Sequence, residues 1–288
     1  MKQLKLSLQH EQAIVLQGNY GGSAADFSTL ARLTHTELLD DNSIVPHALC
    51  EDLHAELPTQ LPQMFASGTV DAFYDPERRQ CRIFVKTPER LHRHRLAVFI
   101  WQMSVTGGAA AAIQRGNKAH LMHCSMLEKS GRALLLCGES GIGKSTSVRR
   151  YKAAGGEAVA DDMIMLEHAP DGKLYAYRLP TWSACREGLS NLDYPFSPPL
   201  EVSGILAISR GQERESLESI SPAEFYAQLY RCSFFHYLWN CGNLPAAEKT
   251  VLAGVLKESV DKMTAMFPPR AFMAHLQGNI AETLGAIL

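Results

Sequence analysis

The chain has 288 residues, 46% of them apolar and 20% charged, with a formal net charge of −2 and a pI near 6.6. That length and apolar content can bury one large core or two modest ones, and the near-neutral balance excludes a global basic field for attracting nucleic acid. The seven cysteines (Cys50, Cys81, Cys124, Cys137, Cys185, Cys232 and Cys241) are odd in number and form no C-x-x-C pair, so reduced thiols in a cytoplasmic protein fit better than a disulfide framework or a zinc site.

Residues 1–18 read as a strand or hairpin, and Met1–Ser7 lacks the uninterrupted apolar core of a signal peptide. Residues 24–64 are mixed, with an acidic pair at Glu51-Asp52 and prolines at 46, 58 and 62. Two alternating strands follow, Thr69–Tyr74 and Gln80–Lys86, joined by Asp75-Pro76-Glu77-Arg78-Arg79. Residues 92–114 read as one helix. Its stretch from Leu96 to Ile113 carries no charge, but Gln102, Ser104, Thr106 and Gly107-Gly108 weaken any membrane reading, and a buried helix of an α/β protein is expected. The apolar run 132–137 reads as a strand and Ser145–Ala154 as a helix stopped by Gly155-Gly156. Beyond them, 163–167 and 174–178 flank the Pro170-Asp171-Gly172 turn of a hairpin, and 204–209 is another strand. Ser221 caps a helix that opens on Pro222 with Glu224 at its third position. Arg231–Trp239 reads as a packed helix, 246–267 as a helix, 270–276 as a strand and 281–288 as a terminal helix. Few clean βαβ periods appear, so a mixed sheet is expected.

Between the strand at 132–137 and the helix that follows stands Gly138-Glu139-Ser140-Gly141-Ile142-Gly143-Lys144-Ser145, a full G-x-x-x-x-G-K-[ST] motif. Glycines let backbone N–H groups turn toward phosphate oxygens, and the helix N-terminus adds partial positive charge. Residues 138–146, Thr146 included, are therefore expected to bind a nucleoside triphosphate, with Lys144 on the β- and γ-phosphates and the Ser145 hydroxyl on Mg²⁺. Lys144 is expected to face solvent when the site is empty. Downstream, Val159-Ala160 leads into Asp161-Asp162. A carboxylate there suits a hard cation, and another can take a proton from an acceptor hydroxyl. Alternation along an extended chain would point the two in different directions.

The stretch from His123 through the loop to Val159-Ala160-Asp161-Asp162 resembles the catalytic domain of bacterial HPr kinase/phosphorylase, of the phosphoenolpyruvate-carboxykinase-like branch. Residues 175–183 (Tyr175-Ala176-Tyr177-Arg178-Leu179-Pro180-Thr181-Trp182-Ser183) resemble more specifically the HPr-kinase-like proteins of ribosomal peptide cassettes, the SynChlorMet cassette protein ScmC family among them. The resemblance covers about residues 119–288 and implies an α/β P-loop core. The pattern of the chain itself adds the mixed sheet and an N-terminal β-rich α+β region over 1–118, which is expected to pack on the core and shares no resemblance with the family. The resemblance further implies that Asp161 is the acid/base for a serine hydroxyl, that Ser145 and Asp162 are metal ligands, and that His123 lies near the phosphates. The E-[IV]-R-G-[LI]-G element of HPr kinases proper is missing, so neither reverse phosphorolysis nor HPr as acceptor is expected.

These readings lead to an ATP- and Mg²⁺-dependent cytoplasmic kinase acting on a hydroxyl of a peptide or small protein, with no nucleic-acid or membrane partner and homo-oligomerisation left open. A small-molecule kinase and a non-catalytic, nucleotide-dependent peptide-binding module remain alternatives. Tyr177, Arg178 and Trp182 are candidates for an acceptor groove, against an exposed charge and ordinary core aromatics.

Overall fold

A computed structural model describes residues 2–9, 12–19, 27–39, 44–52, 57–58, 60–67, 70–86, 93–180, 195–211, 214–285 and 287. The contacts divide the chain into two units. The first comprises 1–120, 180–197 and 236–255, and the second 121–179, 198–235 and 256–288. A single cut at 118/119 does not describe this division, because two later segments group with the N-terminal part.

In the first unit the strands are β1 (Lys2–Ser7), β2 (Ala13–Asn19), β3 (Leu38–Leu39), β4 (Ala48–Asp52), β5 (Gln63–Ala66), β6 (Val70–Asp75) and β7 (Gln80–Val85), with α1 (Phe27–Thr34) and α2 (Arg93–Gln114). They form a seven-stranded sheet in the order β3-β1-β2-β4-β7-β6-β5. The β1/β2 and β6/β7 hairpins are antiparallel, whereas β4 lies parallel to both β2 and β7, so the expected mixed sheet is found. Helix α2 packs on β2, β4 and β7. Its glycine pair makes the approach possible: a Cβ on Gly107 would sit 2.4 Å from Cys81 Sγ, and one on Gly108 2.8 Å from a Leu16 methyl. The charge-free stretch is thus a buried packing helix. Among the described residues no helix is long and apolar enough to cross a membrane. Just past α2, Arg115 donates to the carbonyls of Val45, Pro46, Arg78 and Arg79. One guanidinium thereby satisfies four loop carbonyls. Beside it, His47 Nδ1 accepts the Val15 N–H at 3.1 Å, and burial, followed by the Arg115 charge, lowers the His47 pKa to about 4.

In the second unit the strands are β8 (His120–Met122, whose first residue belongs to the first unit), β9 (Cys124–Lys129), β10 (Arg132–Cys137), β11 (Glu157–Ala160), β12 (Ile164–His168), β13 (Leu174–Arg178), β14 (Leu200–Arg210), β15 (Ser216–Ser219) and β16 (Arg270–Ala274). The helices are α3 (Lys144–Ala153), α4 (Pro222–Cys241, through Phe235), α5 (Ala246–Met266, from Leu256) and α6 (Ile280–Gly285). The strand order is β11-β9-β10-β14-β13-β12-β8, with β16 on β14 and β15 on β16. Strands β10, β14 and β16 run parallel, and β9 and β11 are antiparallel additions at one edge.

Strand β10 is buried on both faces, which explains its continuous apolar sequence. Ala133, Leu135 and Cys137 join Phe225, Leu229, Val260 and Met263 of α4 and α5 on one side. On the other, Leu134 and Leu136 meet Tyr151, Ile280 and Leu284 of α3 and α6. Helices cover both faces of the sheet, the layered solution for strands apolar on both sides. The expected hairpin forms with Ile164 opposite Arg178 and His168 opposite Leu174. Ser221 Oγ accepts the Glu224 N–H at 3.2 Å, so the cap at the start of α4 is also formed.

Candidate functional site

The glycine-rich loop joins β10 to α3 as its sequence requires. Gly138 is pressed against the sheet, where a Cβ would lie 2.4 Å from an Ile208 methyl. Gly141 and Gly143 have φ of +80° and +124°, values that L side chains rarely adopt. Gly143 also occupies the N-cap of α3, and no side chain caps the helix there. Its carbonyl accepts the first helical bond, from the Ser147 N–H at 2.9 Å. The amides of Lys144, Ser145 and Thr146 therefore have no partner within the helix and lie at its positive end. Glu139, Ser140, Gly141 and Ser145 are exposed, and Ile142, Gly143 and Thr146 are half-buried. This end of α3 has the geometry of an anion site.

Lys144 departs from expectation. It is buried, with 5% of its surface exposed. Its ammonium donates to the Gly138 carbonyl at 2.8 Å and the Glu139 carbonyl at 3.0 Å, and it meets His123 Nε2 at 2.9 Å. Three donors meet three acceptors, so the amine is fully engaged without a ligand. The other imidazole nitrogen, Nδ1, lies 2.9 Å from the Asp162 carbonyl and 3.0 Å from Asp162 Oδ1. Both neighbours are acceptors, so Nδ1 carries the proton and Nε2 accepts from the ammonium. Asp162, His123 and Lys144 thus form a continuous chain. Phe235 of α4 stacks on the imidazole with ring centroids 4.1 Å apart and planes 25° from parallel. The Cys232 carbonyl accepts the His123 backbone N–H at 2.9 Å. Arg231–Trp239 had suggested a packed helix, and part of that segment fixes a site residue.

The adjacent carboxylates do diverge, by a different device from strand alternation. Strand β11 ends at Ala160 and the chain turns; Asp162 has φ of +89°, in the left-handed region. Its backbone carbonyl and one carboxylate oxygen consequently address His123 together. Asp161 Oδ1 accepts the hydroxyl proton of Ser125, which is fully buried on β9, at 2.7 Å. The spacing is fixed from the other side by the end of α3. The Gly156 N–H donates to the Tyr151 carbonyl at 3.0 Å, and a Cβ on Gly156 would fall 2.1 Å from the Tyr151 ring. Ser125 and Phe235 were not singled out from sequence. His123 and Ser125 stand two apart at the start of an extended segment, and that period-two spacing was the available signal for Ser125.

The acceptor-groove candidates lie elsewhere. Tyr177 is 1% exposed and donates its hydroxyl to Glu167 within the core. Arg178 pairs with Glu128 at 2.7 Å, both side chains largely buried. Neither presents a free recognition surface, while Trp182 lies outside the described residues. The six described cysteines are all free and buried. Burial raises Cys137 well above the ordinary thiol range, and the hydrogen bond that Cys232 donates to Cys137, followed by burial, does so for Cys232. Neither carries the thiolate character of a nucleophile.

No curated protein matches the chain. Among solved structures it is similar to one described as the Hpr(Ser) kinase/phosphatase from Coxiella burnetii, at 16% identity and a TM-score of 0.25, over 35% of this chain and 72% of that one. The family described as SynChlorMet cassette protein ScmC matches residues 94–288, well over half of the sequence, and the chain belongs to that family.

Proposed function

We propose that the protein is an ATP-dependent kinase that transfers the γ-phosphoryl group to the hydroxyl of a serine in a peptide or small protein. The observation that carries this reading is the meeting of Lys144, His123 and Asp162 at the uncapped start of α3, with Asp161 next in sequence. Loop amides would cradle the phosphates. Lys144 would exchange one of its three present acceptors for a phosphate oxygen, and His123 would hold it in register until then.

The attacking serine oxygen forms a bond to γ-phosphorus as the β–γ bridging P–O bond breaks and ADP leaves. The serine proton passes to the Asp161 carboxylate, whose Oδ1 is already oriented by Ser125. Mg²⁺ fits the available donors: the exposed Ser145 hydroxyl and the partly exposed Asp162 carboxylate are both oxygen ligands. Among the described residues no cluster of three His, Cys, Asp or Glu side chains would hold a metal ion. The ion would therefore complete its shell with nucleotide oxygens and water, where it neutralises phosphate charge.

The test is transfer of label from γ-labelled ATP to a cassette precursor peptide, free serine, small polyols and HPr. Label on peptide serine, lost in Asp161→Asn with ATP still bound, is the expected result. Label on free serine alone would replace the peptide with a small-molecule acceptor. ATP bound but never transferred to any acceptor would instead leave a nucleotide-dependent binding module.

A further inference from the structure

A cavity of about 410 Å³ opens beside α3, on a face to which Lys144 does not contribute. Gly143, Thr146, Ser147 and Arg150 line it from the helix, and their spacing of three and four residues marks a single helical face. Arg210 with Gly211 and Ala274 through Leu276 close it. These are the carboxyl ends of β14 and β16, which run parallel to one another and, through β14, to β10. The glycine-rich loop leaves the carboxyl end of β10, so the loop and the cavity share the end of a parallel sheet at which ligands characteristically bind.

The walls are already fixed. Arg150 is held by Glu215 at 2.6 Å and by the Gly278 carbonyl at 2.6 Å. The Gly211 N–H donates to the Ala274 carbonyl at 2.8 Å, and no Cβ fits on Gly211, since one would lie 2.7 Å from the Arg214 carbonyl oxygen. Arg150 is consequently occupied and not a free phosphate ligand. What the cavity offers is an exposed planar cation, Arg210, anchored through one nitrogen to the Gly141 carbonyl at 3.2 Å, together with the His275 imidazole and Leu276. Leu276 is an apolar side chain left 78% exposed. A guanidinium, an imidazole and an isobutyl group suit the flat face of a heteroaromatic ring.

We infer that this cavity receives the nucleoside of the bound triphosphate, its base lying against Arg210, His275 and Leu276 and its ribose near Thr146. The inference rests on the nucleotide reading of the loop and adds to it the place and chemistry of the base. Base stacking on such groups is tolerant of base identity and is worth about tenfold or more in affinity per base.

Inorganic tripolyphosphate separates the two readings, because it can engage the loop but has no nucleoside. Calorimetric titration of the full chain should show ATP binding about tenfold or more tighter than tripolyphosphate. His275→Ala should remove most of that advantage while leaving tripolyphosphate affinity unchanged, and Arg210→Ala, which also releases the loop at Gly141, should weaken ATP more than tripolyphosphate. Equal affinity of the native protein for both ligands overturns the nucleoside cavity and leaves the phosphate loop standing. Binding of neither ligand overturns the loop reading itself, and the cavity with it. If Arg210→Ala weakens both ligands equally and His275→Ala changes neither, Arg210 acts only by bracing the loop at Gly141, and the inference fails.

Discussion

Helices α2 and α3 both depend on glycine, for opposite reasons. Gly107 and Gly108 lie inside α2, and what matters is the missing side chain: a Cβ would strike Cys81 or Leu16. Around α3, nothing lies within 4 Å of a Cβ built on Gly141 or Gly143. Their value is the positive φ that turns the chain and leaves the helix amides without a cap. One region uses glycine to bring apolar surfaces together, and its failures should appear as lost stability. In the other, glycine shapes a polar concavity whose failures should appear first in ligand binding and reaction rate.

The largest expected effect falls on the polar region alone. Asp161→Asn should lower phosphoryl transfer by about 10²–10⁴-fold, with ATP affinity and thermal midpoint nearly unchanged. Radiolabel transfer, ATP titration and thermal scanning on the same preparation check this. Next comes Lys144→Ala, which should weaken ATP by about a hundredfold, the scale of a charge-assisted hydrogen bond. Because Lys144 is buried and triply bonded, its removal should also cost about 1–3 kcal/mol of unfolding free energy. Undiminished ATP affinity in a folded Lys144→Ala protein would remove the loop from the proposal, and undiminished stability would refute the importance of its present contacts.

A smaller effect tests both regions through pH. His47 and His168 are each lowered from 6.5 to about 4, by burial first and then by Arg115 and Lys262 respectively. Both remain neutral in the folded protein over a range where the unfolded chain takes up protons. Their contributions are therefore present above pH 6.5 and are lost as pH falls from 6.5 through 4, on the order of 2 kcal/mol each after allowance for partial exposure. Urea titrations across this window should show stability falling with acid, and His47→Asn or His168→Gln should each remove about half of the slope. The smallest effect is Gly107→Ala. Overpacking costs about 1–3 kcal/mol, offset by up to about 1 kcal/mol of helix propensity, so a net loss of about 1–2 kcal/mol is expected with ATP affinity unchanged. A loss of ATP affinity there would erase the contrast between the two regions.

Local pattern made much of this architecture legible. The β6/β7 and β12/β13 hairpins, the loop between β10 and α3, the cap of α4 and the full extent of α2 all follow from alternation, turn residues and helical period. The partners made across the sheet were less accessible. Lys144 is buried because His123 and two loop carbonyls converge on it, and those acceptors come from segments far apart or folded back in sequence. The expectation of strand alternation at Asp161-Asp162 failed because the strand stops one residue earlier. Tyr177 and Arg178 looked like recognition residues only while Glu167 and Glu128 were not known to face them. Aromatic spacing alone could not show that Phe235 would cover an imidazole from another element.

The contact of Tyr151 with Gly156 makes chain length itself a functional variable. Surface turns ordinarily tolerate an added residue, and the Ala154–Gly156 turn looks like such a place. Here the helix end is clasped to the residue that opens the path into β11. An inserted residue could be accommodated by releasing the clasp or by slipping β11 along β9, where a one-residue slip reverses every side chain. The slip would present Asp161 and Asp162 to Ser125 and His123 in the wrong order, and loss of the clasp would free the end of α3 that holds their spacing. The count of residues from the loop to the aspartate pair is therefore a constraint as strict as their identity, and a deletion or insertion there would disable the site while leaving every one of its residues in the sequence.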